Sequence, residues 1–348
     1  MEQAVGPHSR QCPLCRNRNA SLLYRNVTDQ LYGATGKWDI VRCVNPSCAI
    51  AWLEPPPSPA ELSASYANYY THGSSDMRMP TWATSFGLWI RHLDQTLGES
   101  YLSARYGYRL DAPKWRWLLA CILPTRFEAY RSRAMFLPAA SAGNLLDVGA
   151  GNGDLIRMVE RFGWRAEGVD NDEAAVRTCK DQKLNVRLGT LEQQSYAAAS
   201  FDAVVLRHVI EHISDPTRVL AECLRVLRSS GRIVIITPNL NAGGARLFGA
   251  AWRGLEPPRH LRVYTAPALC QLLQTCGFRV LTARSMTRSG LMFARSLDIL
   301  ARAHGWRLPR WLKHGCRLAF EAVAVLEYIA CSLKQDVGEE LVIVGAKG

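Results

Sequence analysis

Apolar residues recur with two different periods between residues 144 and 286 of the chain. Helical spacing of the apolar positions predicts helices at 154–162, 216–227 and 267–276. Between them lie strand-like runs, of which 144–149 and 231–237 are apolar, and they predict strands at 144–149, 165–170, 186–188, 203–206, 231–237 and 278–283. Strands and helices that alternate in this way are typical of a doubly wound, mainly parallel α/β sheet.

The segments before this alternation have a different character. Short strand-like runs such as 38–42 are followed by the proline-rich segment 55–59, which interrupts regular structure. Residues 60–140 are rich in aromatic residues and arginine, with helical spacing in patches. We therefore predict three parts: a small module at 10–54, a linker and helical lead-in at 55–140, and an α/β domain at 141–348.

An insertion at 287–338, helical in character, precedes the last predicted strand at 340–344. From residue 284 to residue 317 the chain carries eight Lys and Arg residues and one acid, Asp298, together with Trp306 and Trp311. One interpretation is a solvated helical lid. The other is a basic amphipathic face that docks on an anionic membrane surface. Nucleic acid is a weaker candidate, because no recognised RNA-binding module accompanies the basic residues.

Composition limits the class of protein further. The chain has 348 residues, 48% of them hydrophobic, which is enough for one main domain and an accessory module. Its net charge of +12 favours anionic partners in general. It contains no apolar run of about eighteen residues and no secretion signal, so we expect it to fold in the cytoplasm. Peripheral contact with the inner membrane face is the alternative that the basic insertion leaves open.

Four of the eleven cysteines form two close pairs, Cys12-x2-Cys15 and Cys43-x4-Cys48. Two thiolate pairs are what a closed tetrahedral zinc site requires, and a short segment with little core is hard to stabilise without a metal. The alternative is four unligated thiols. A zinc ion held by four cysteines has no open position for water, so we expect a structural metal.

A glycine-rich turn follows the first strand of the α/β domain, in Leu145-Leu-Asp-Val-Gly-Ala-Gly-Asn-Gly153. Glycines at such a turn let a ligand approach the main chain closely, although many glycine turns are purely structural. The spacing differs from the G-x-G-x-x-G of dinucleotide folds. The next strand ends in Gly168-Val-Asp170, which places a carboxylate where a ribose diol needs an acceptor.

These segments together resemble one family. The pattern D-V-G-x-G-x-G, the following G-V-D, Phe201-Asp-Ala-Val-Val-Leu206 and the strand G-R-I-V-I-I-T-P-N resemble class I S-adenosylmethionine-dependent methyltransferases. The resemblance covers about residues 140–286 and the last strand. It implies a Rossmann-like sheet of seven strands and S-adenosylmethionine (SAM) as the cofactor.

The resemblance also implies which residues contact SAM. Gly149, Gly151 and Gly153 would contact the methionine portion, Asp147 its amino group, and Asp170 the ribose hydroxyls. Thr190, Leu191 and Glu192 stand where the family contacts adenine. The implied cofactor site is completed by Ala150, Asn152, Asn171 and Arg207.

The N-terminal arrangement resembles a bacterial subgroup in which a zinc ribbon precedes the methyltransferase domain. The paired cysteines, Pro55–Pro59 and the stretch from Tyr66 to His72 carry this resemblance. Members of the subgroup modify sugars, polysaccharides and natural products. The resemblance therefore implies that residues 10–54 form a zinc ribbon with Cys12, Cys15, Cys43 and Cys48 as ligands.

Two segments supply candidates for acid–base chemistry. The first, Arg207-His208-Val-Ile-Glu211-His212, matches the H-x-x-E-H of some metalloproteases, but it follows a strand instead of lying on a long helix. It resembles the E-H pair beside the substrate pocket of ubiquinone-pathway O-methyltransferases. The second is the proline-stiffened loop from Trp252 to His260. We predict His260 as the catalytic base and His208 as the second candidate, with local structural roles as the alternative for both segments.

The leading hypothesis is O-methylation of a small-molecule, glycan or lipid-linked acceptor. The chemistry needs a positioned acceptor and a base for its hydroxyl, and no nucleophilic side chain. Three alternatives remain at this point: C-methylation of a nucleotide-linked sugar, methylation of RNA, and a non-catalytic binding protein with a vestigial cofactor pocket that no longer binds SAM.

Overall fold

The computed structural model describes residues 11–66, 84–122, 125–287, 289–307, 325–331, 333 and 336–348. Three strands and three helices precede the α/β region: β1 (Ala20–Val27), β2 (Trp38–Cys43), β3 (Ala51–Glu54), α1 (Pro59–Tyr66), α2 (Thr84–Tyr106) and α3 (Thr125–Arg133). The helical lead-in that the sequence predicts over 55–140 therefore contains α1, α2 and α3 among the described residues.

The α/β region follows in the predicted order. Its elements are β4 (Asn144–Val148), α4 (Asp154–Glu160), β5 (Arg165–Asp170), α5 (Glu173–Asp181), β6 (Val186–Leu188), β7 (Phe201–Arg207), α6 (Pro216–Val226), β8 (Leu227–Pro238), α7 (Gly243–Phe248), β9 (Arg262–Val263), α8 (Ala266–Thr275), β10 (Phe278–Met286), α9 (Ser289–Ala303) and β11 (Glu340–Lys347). Side chains begin several of these helices. Asp172 accepts from the amides of Ala174 and Ala175 at the start of α5, and Thr265 accepts from the amide of Ala268 at the start of α8.

The seven-stranded sheet has the order β10-β11-β8-β7-β4-β5-β6. The central strand β4 pairs in parallel with β5 and with β7, and β5 pairs in parallel with β6. Leu145 and Leu146 of β4 are fully buried, as expected for a parallel strand that is covered on both faces. The predicted Rossmann-like fold class is confirmed.

A second sheet has the order β1-β2-β3-β9. Its first three strands come from the predicted zinc ribbon, and β9 adds a fourth from far along the chain, with Ala51 opposite Val263 and Trp52 opposite Arg262. This sheet packs on the segment from Leu240 to Leu255 through one apolar cluster, which includes Trp38 and Trp252. The fourth strand is a feature that the sequence did not predict.

The described residues fall into two compact units. Unit 1 is drawn from Met1–Tyr69, His208–Arg218 and Ile235–Ile343, and unit 2 from Tyr70–Arg207, Val219–Val234 and Val344–Gly348. Each unit is discontinuous in sequence, and the three-part division at 10–54, 55–140 and 141–348 stays a prediction.

The predicted basic insertion at 287–338 contains α9, and residues 325–331 are also helical. Trp311 and the stretch from Asn68 to His72 lie outside the described residues. Among the helices that are described, none combines the length and the apolar character needed to cross a bilayer.

Candidate functional site

The glycine turn after β4 has the backbone shape that its sequence predicts. Gly151 and Gly153 have φ angles of 52° and 78°, in the left-handed region that favours glycine. A Cβ on Gly153 would lie 2.3 Å from the side chain of Leu184, so any larger residue would have to displace that side chain. A Cβ on Gly151 would meet no atom of the described residues within 4 Å. The turn therefore presents open backbone at Gly151, where a ligand can approach the main chain.

Asp170 lies at the end of β5, and its carboxylate bonds to the glycine turn. Its Oδ2 accepts from the amide of Gly151 at 2.7 Å, and its Oδ1 accepts from the amide of Asp172 at 2.8 Å. Burial raises the pKa of Asp170, while these backbone donors oppose the rise. Each carboxylate oxygen keeps a second lone pair, so Asp170 can still accept hydrogen bonds from a diol.

The buried carboxyl of Asp147 lies one residue before the end of β4. Burial raises its pKa to about 8, although Arg207 acts in the opposite direction. A cationic ammonium group beside this carboxyl would stabilise its charged form. Asp147 therefore fits the amino-group role that the family resemblance implies.

The other predicted cofactor residues also lie in unit 2, after the carboxyl ends of parallel strands. The adenine candidates follow β6, where the amide of Gly189 donates to the carbonyl of Asp170 at 2.9 Å. Thr190 begins a short 3-10 turn through a reciprocal capping arrangement with Gln193, and Leu191 is buried. The remaining predicted residues are distributed around the glycine turn and strand ends, as Ala150, Asn152, Asn171, Glu192 and Arg207.

Unit 1 brings both predicted E-H residues and the predicted base together. Glu211, His212 and His260 each offer a ligand atom, and these atoms lie within 4.8 Å of one another, so the three residues could hold a metal ion. The rings of His212 and His260 are 4.7 Å apart at an angle of 75°. The sequence analysis named all three residues but did not predict that they form one cluster.

Backbone carbonyls fix the orientation of both imidazoles. Nδ1 of His260 lies 2.8 Å from the carbonyl of Gly254, and Nδ1 of His212 lies 3.0 Å from the carbonyl of Arg259. Because a carbonyl oxygen can only accept, Nδ1 of His260 carries the proton in its bond to Gly254. Nε2 of the neutral His260 ring then has a free lone pair, which can take up a proton or bind a cation. Nδ1 of His212 also lies 3.0 Å from the hydroxyl of Tyr66, a group that can donate or accept.

Glu211 is fully buried and only partly satisfied. Its Oε2 accepts from the hydroxyl of Thr237 at 2.9 Å, whereas its Oε1 has no hydrogen-bond partner among the described residues and lies 3.6 Å from Nδ1 of His208. Burial alone would raise the pKa of Glu211, but the neighbouring histidines His208, His212 and His260 outweigh burial and lower it to about 2. The cluster therefore contains a buried carboxylate that keeps its charge.

The histidines differ in their affinity for a proton. Burial lowers the pKa of His260 well below its ordinary value of 6.5, and the neighbouring His212 lowers it further. Burial alone would also lower the pKa of His208, but Glu340 and Glu211 together raise it. His208 lies 3.3 Å from Glu340 through its Nε2. Of the two predicted bases, His260 is thus the one whose surroundings favour the neutral ring.

A buried arginine next to the predicted base was missed by the sequence analysis. Arg259 is fully buried and donates to Asp29 Oδ2, to Glu256 Oε1 and to the carbonyl of Ser65, each at 2.9 Å. Its guanidinium also lies 4.6 Å from the ring centre of Tyr32. The side chain therefore connects the ribbon segment, α1 and the loop that carries His260. Partners so distant in sequence leave no periodic signal.

The four paired cysteines form a single cluster. The sulfurs of Cys12 and Cys48 are 3.7 Å apart, those of Cys15 and Cys43 are 3.5 Å apart, and all four lie within 4.8 Å of one another. The Cys48 thiol hydrogen-bonds to Cys12 and lowers the pKa of Cys12 to about 5, whereas burial raises that of Cys43 to about 11. Four sulfurs on two turns are the donor set of a structural zinc site, so the cluster suggests the predicted ribbon.

Comparison with known proteins agrees with this geometry. Residues 123–283 match a family model described as a methyltransferase domain. A probable S-adenosylmethionine-dependent methyltransferase of Mycolicibacterium smegmatis is 36% identical over 143 residues, which cover 39% of this chain and 52% of the relative. A ubiquinone biosynthesis O-methyltransferase of Caulobacter vibrioides is 30% identical over 143 residues, which cover 35% of this chain and 57% of the relative.

The chain spans about half the length of the curated relatives that it matches. Among solved structures, a SAM-dependent methyltransferase from Archaeoglobus fulgidus aligns over 67% of this chain and all of its own, with 20% identity and a TM-score of 0.44. The sequence matches and the seven-stranded sheet confirm the predicted resemblance. Residues 123–283 are thus similar to methyltransferase domains, and the relative from Mycolicibacterium smegmatis is described as a probable SAM-dependent enzyme.

Proposed function

We propose that this protein is an enzyme that transfers a methyl group from SAM to a hydroxyl oxygen of a small-molecule, glycan or lipid-linked acceptor. One observation supports the binding of SAM as the methyl donor. The open backbone at Gly151 is hydrogen-bonded to the carboxylate of Asp170, so the groups expected to hold the methionine and the ribose belong to one fixed structure. The match to a methyltransferase domain supports the same cofactor.

The residues of unit 2 would bind and orient the cofactor. The turn at Gly149, Gly151 and Gly153 would hold the methionine portion through its backbone, and Asp147 would pair with the ammonium group. Asp170 would accept hydrogen bonds from the ribose hydroxyls. When bound, SAM supplies an activated methyl group whose leaving group is a neutral thioether.

The acceptor hydroxyl must lose a proton, and His260 is the proposed base. Its Nδ1 bond to Gly254 leaves Nε2 to take the proton while the acceptor oxygen forms its bond to the methyl carbon. The bond from that carbon to sulfur breaks, and its electron pair stays on sulfur. The products are a methyl ether and S-adenosylhomocysteine, and the proton on His260 then passes to solvent.

Oxygen is the preferred acceptor atom for two reasons. Several relatives carry the name ubiquinone biosynthesis O-methyltransferase, and a neutral buried imidazole suits the deprotonation of a hydroxyl. We also propose the cofactor and base residues named above as the site, and a structural role for zinc. The proposal further includes folding in the cytoplasm and peripheral contact of residues 287–338 with the inner membrane face.

Calorimetric titration tests whether SAM binds at the glycine turn and Asp170. We expect the wild-type protein to bind, and Asp170→Asn to bind about 10- to 100-fold more weakly, because it loses a charged acceptor for two hydroxyls. Glu173→Gln is the matched control. Its side chain is exposed on α5 of the same unit and, within the part of the chain that the structure describes, pairs with Arg177 alone, so affinity should not change. Equal affinities of wild type and Asp170→Asn, or no binding by wild type, would contradict the proposal.

A further inference from the structure

A cavity of about 250 Å³ lies within unit 1. It is lined by the four-stranded sheet β1-β2-β3-β9, called here the ribbon sheet, and by the segment that contains α7. It shares no residue with the glycine turn or with the cluster of Glu211, His212 and His260. Polar groups on its wall come from Tyr24, Arg42, Asn241 and Arg246, and its apolar wall from Leu23, Leu240, Ala245, Trp252 and Leu255. No lining residue is acidic.

The arginines of this cavity lack an anionic partner in the described part of the chain. Arg42 donates to the carbonyl of Ala49 at 3.3 Å and to Oδ1 of Asn241 at 3.4 Å, both neutral acceptors. Arg246 is exposed on α7 and forms no ion pair with any described residue. The nearby carboxylate of Asp336 bonds instead to the side-chain amide of Asn241, at 2.7 Å.

The positive charge of these arginines, which no described anion neutralises, favours binding of an anion. A half-buried guanidinium whose acceptors are neutral has lost much of its hydration and keeps its attraction for an anion. Its planar donor pattern suits a phosphate or a carboxylate. Tyr24 adds a hydroxyl beside Arg42, and burial raises the pKa of Tyr24, so this hydroxyl remains a donor.

The opposite wall is apolar and fixed. Trp252 and Leu255 are buried in the cluster that joins the ribbon sheet to the following segment. Trp252 is also anchored through Nε1, which donates to Glu339 at 2.8 Å. A wall of this kind suits a ring or a short apolar chain, and a volume of 250 Å³ restricts the occupant to a small molecule or to one end of a larger one.

We infer that this cavity is a binding site for an anionic ligand, in which a phosphate or carboxylate group contacts Arg42 and Arg246 while a ring or short apolar body contacts Trp252 and its neighbours. The site goes beyond the proposed methyl transfer. The inference depends only on the cavity and on its two arginines.

Equilibrium dialysis with phenyl phosphate tests the inference, with benzoate as the carboxylate probe. We expect at least one of these anions to bind. Benzyl alcohol, which lacks the anionic group, and inorganic phosphate, which lacks the ring, should each bind at least about tenfold more weakly. Saturating S-adenosylhomocysteine should not displace the anion. If both anions fail to bind at millimolar concentration, or if S-adenosylhomocysteine displaces them, the inference is wrong.

Charge-removing variants locate the site. Arg246→Gln alters an exposed side chain and should weaken binding of the anion about tenfold without changing the melting temperature, and Arg42→Gln should have a similar effect. Arg279→Gln removes the same charge from an exposed position on β10 of the same unit and should leave binding unchanged. Equal affinities of Arg246→Gln and wild type, or an equal loss in Arg279→Gln, would overturn the assignment.

Discussion

The imidazole of His260 shows how main-chain geometry selects a chemical role. The carbonyl of Gly254 holds the proton on Nδ1, and the amide of His260 donates to the carbonyl of Glu256 at 3.1 Å. The buried setting disfavours the charged ring. A ring fixed in this way is ready to accept a proton at Nε2.

Replacement of His260 by glutamine removes the proposed base while keeping a polar side chain. We expect the rate of methyl transfer to fall by about 10²- to 10⁴-fold, the usual contribution of a general base, with SAM affinity unchanged. The measurements are transfer of labelled methyl groups to a host-cell extract and calorimetric titration with SAM. His304→Gln is the matched control, because His304 is exposed on unit 1 and its Nδ1 bonds only to the carbonyl of Leu300. A full rate in His260→Gln would exclude this residue as the base.

The lowered pKa of His260 sets the direction of the pH dependence. Below its ordinary value of 6.5 a histidine becomes protonated, but burial keeps His260 neutral to more acidic pH. The rate at saturating SAM should therefore stay level from about pH 8 to 6.5 and fall only as the pH drops through the lowered pKa. Circular dichroism at each pH serves as the control for unfolding. A half-maximal rate at or above pH 6.5 in the folded protein would contradict this expectation.

Local sequence patterns predicted some residues of the candidate sites and not others. The glycine turn and Asp170 could be predicted because strand, turn and carboxylate follow one another within about 25 residues. Arg259 could not, because its partners Asp29 and Ser65 lie 230 and 194 residues away. A buried ion pair of this range depends on tertiary structure alone.

At the scale of elements, the ribbon sheet and the loop of the proposed base are joined. Strand β9 begins two residues after His260 and pairs with β3, and the amide of Leu53 donates to the carbonyl of Leu261 at 3.4 Å. The hydroxyl of Thr265 donates to the carbonyl of Cys48 at 2.7 Å, which connects a predicted zinc ligand to the start of α8. The folded structure of the cysteine turns therefore helps to hold His260 in its position.

Loss of one cysteine from the cluster should affect metal content, stability and catalysis together. In Cys43→Ser we expect zinc to fall from one ion per chain to near zero and the free energy of unfolding to drop by at least about 3 kcal/mol. The methyl-transfer rate should fall more than SAM affinity does, because the glycine turn belongs to unit 2. Atomic absorption, denaturant unfolding and the labelled-methyl assay measure the three quantities.

Cys270→Ser provides the control for the loss of a thiol, since Cys270 is half-buried on α8 and lies outside the cluster. It should keep its zinc and its rate. If zinc is absent from the wild-type protein purified without chelators, the four cysteines do not form a metal site.

The bounds of elements with a clear pattern of apolar residues were predicted more accurately than the bounds of elements that form only by pairing with another strand. The predicted bounds of β5 and β6 agree with the structure, because each strand is a short strand-like run that ends at a turn. Strand β8 begins at the buried Leu227 rather than at the predicted Gly231, since the polar residues 228–230 that follow Leu227 have no apolar pattern. Strand β9 has two residues and therefore no period at all.

Across the whole molecule, positive charge is abundant but partly neutralised by local pairs. Arg302 of α9 bonds to Asp298 on the same helix and to the carbonyl of Gln30, and Arg225 of α6 pairs with Glu222. A net charge of +12 nonetheless favours an anionic acceptor and predicts that acceptor binding weakens as salt rises. Charge of this kind attracts acidic glycans, lipid phosphates and RNA alike, so it does not by itself choose the substrate.

Fractionation of the methylated products distinguishes these acceptors. After incubation with labelled SAM and host-cell extract, we expect label in the small-molecule, glycan or lipid fraction, resistant to ribonuclease and recovered as an O-methyl ether. The reason is that a positioned hydroxyl and the base His260 suffice for the reaction, whereas the sequence contains no recognised RNA-binding module. Asp170→Asn, assayed in parallel, should leave every fraction unlabelled at low SAM concentration. Label that ribonuclease releases would indicate an RNA acceptor, and label on carbon would indicate C-methylation, and either result would contradict the proposed transfer to oxygen.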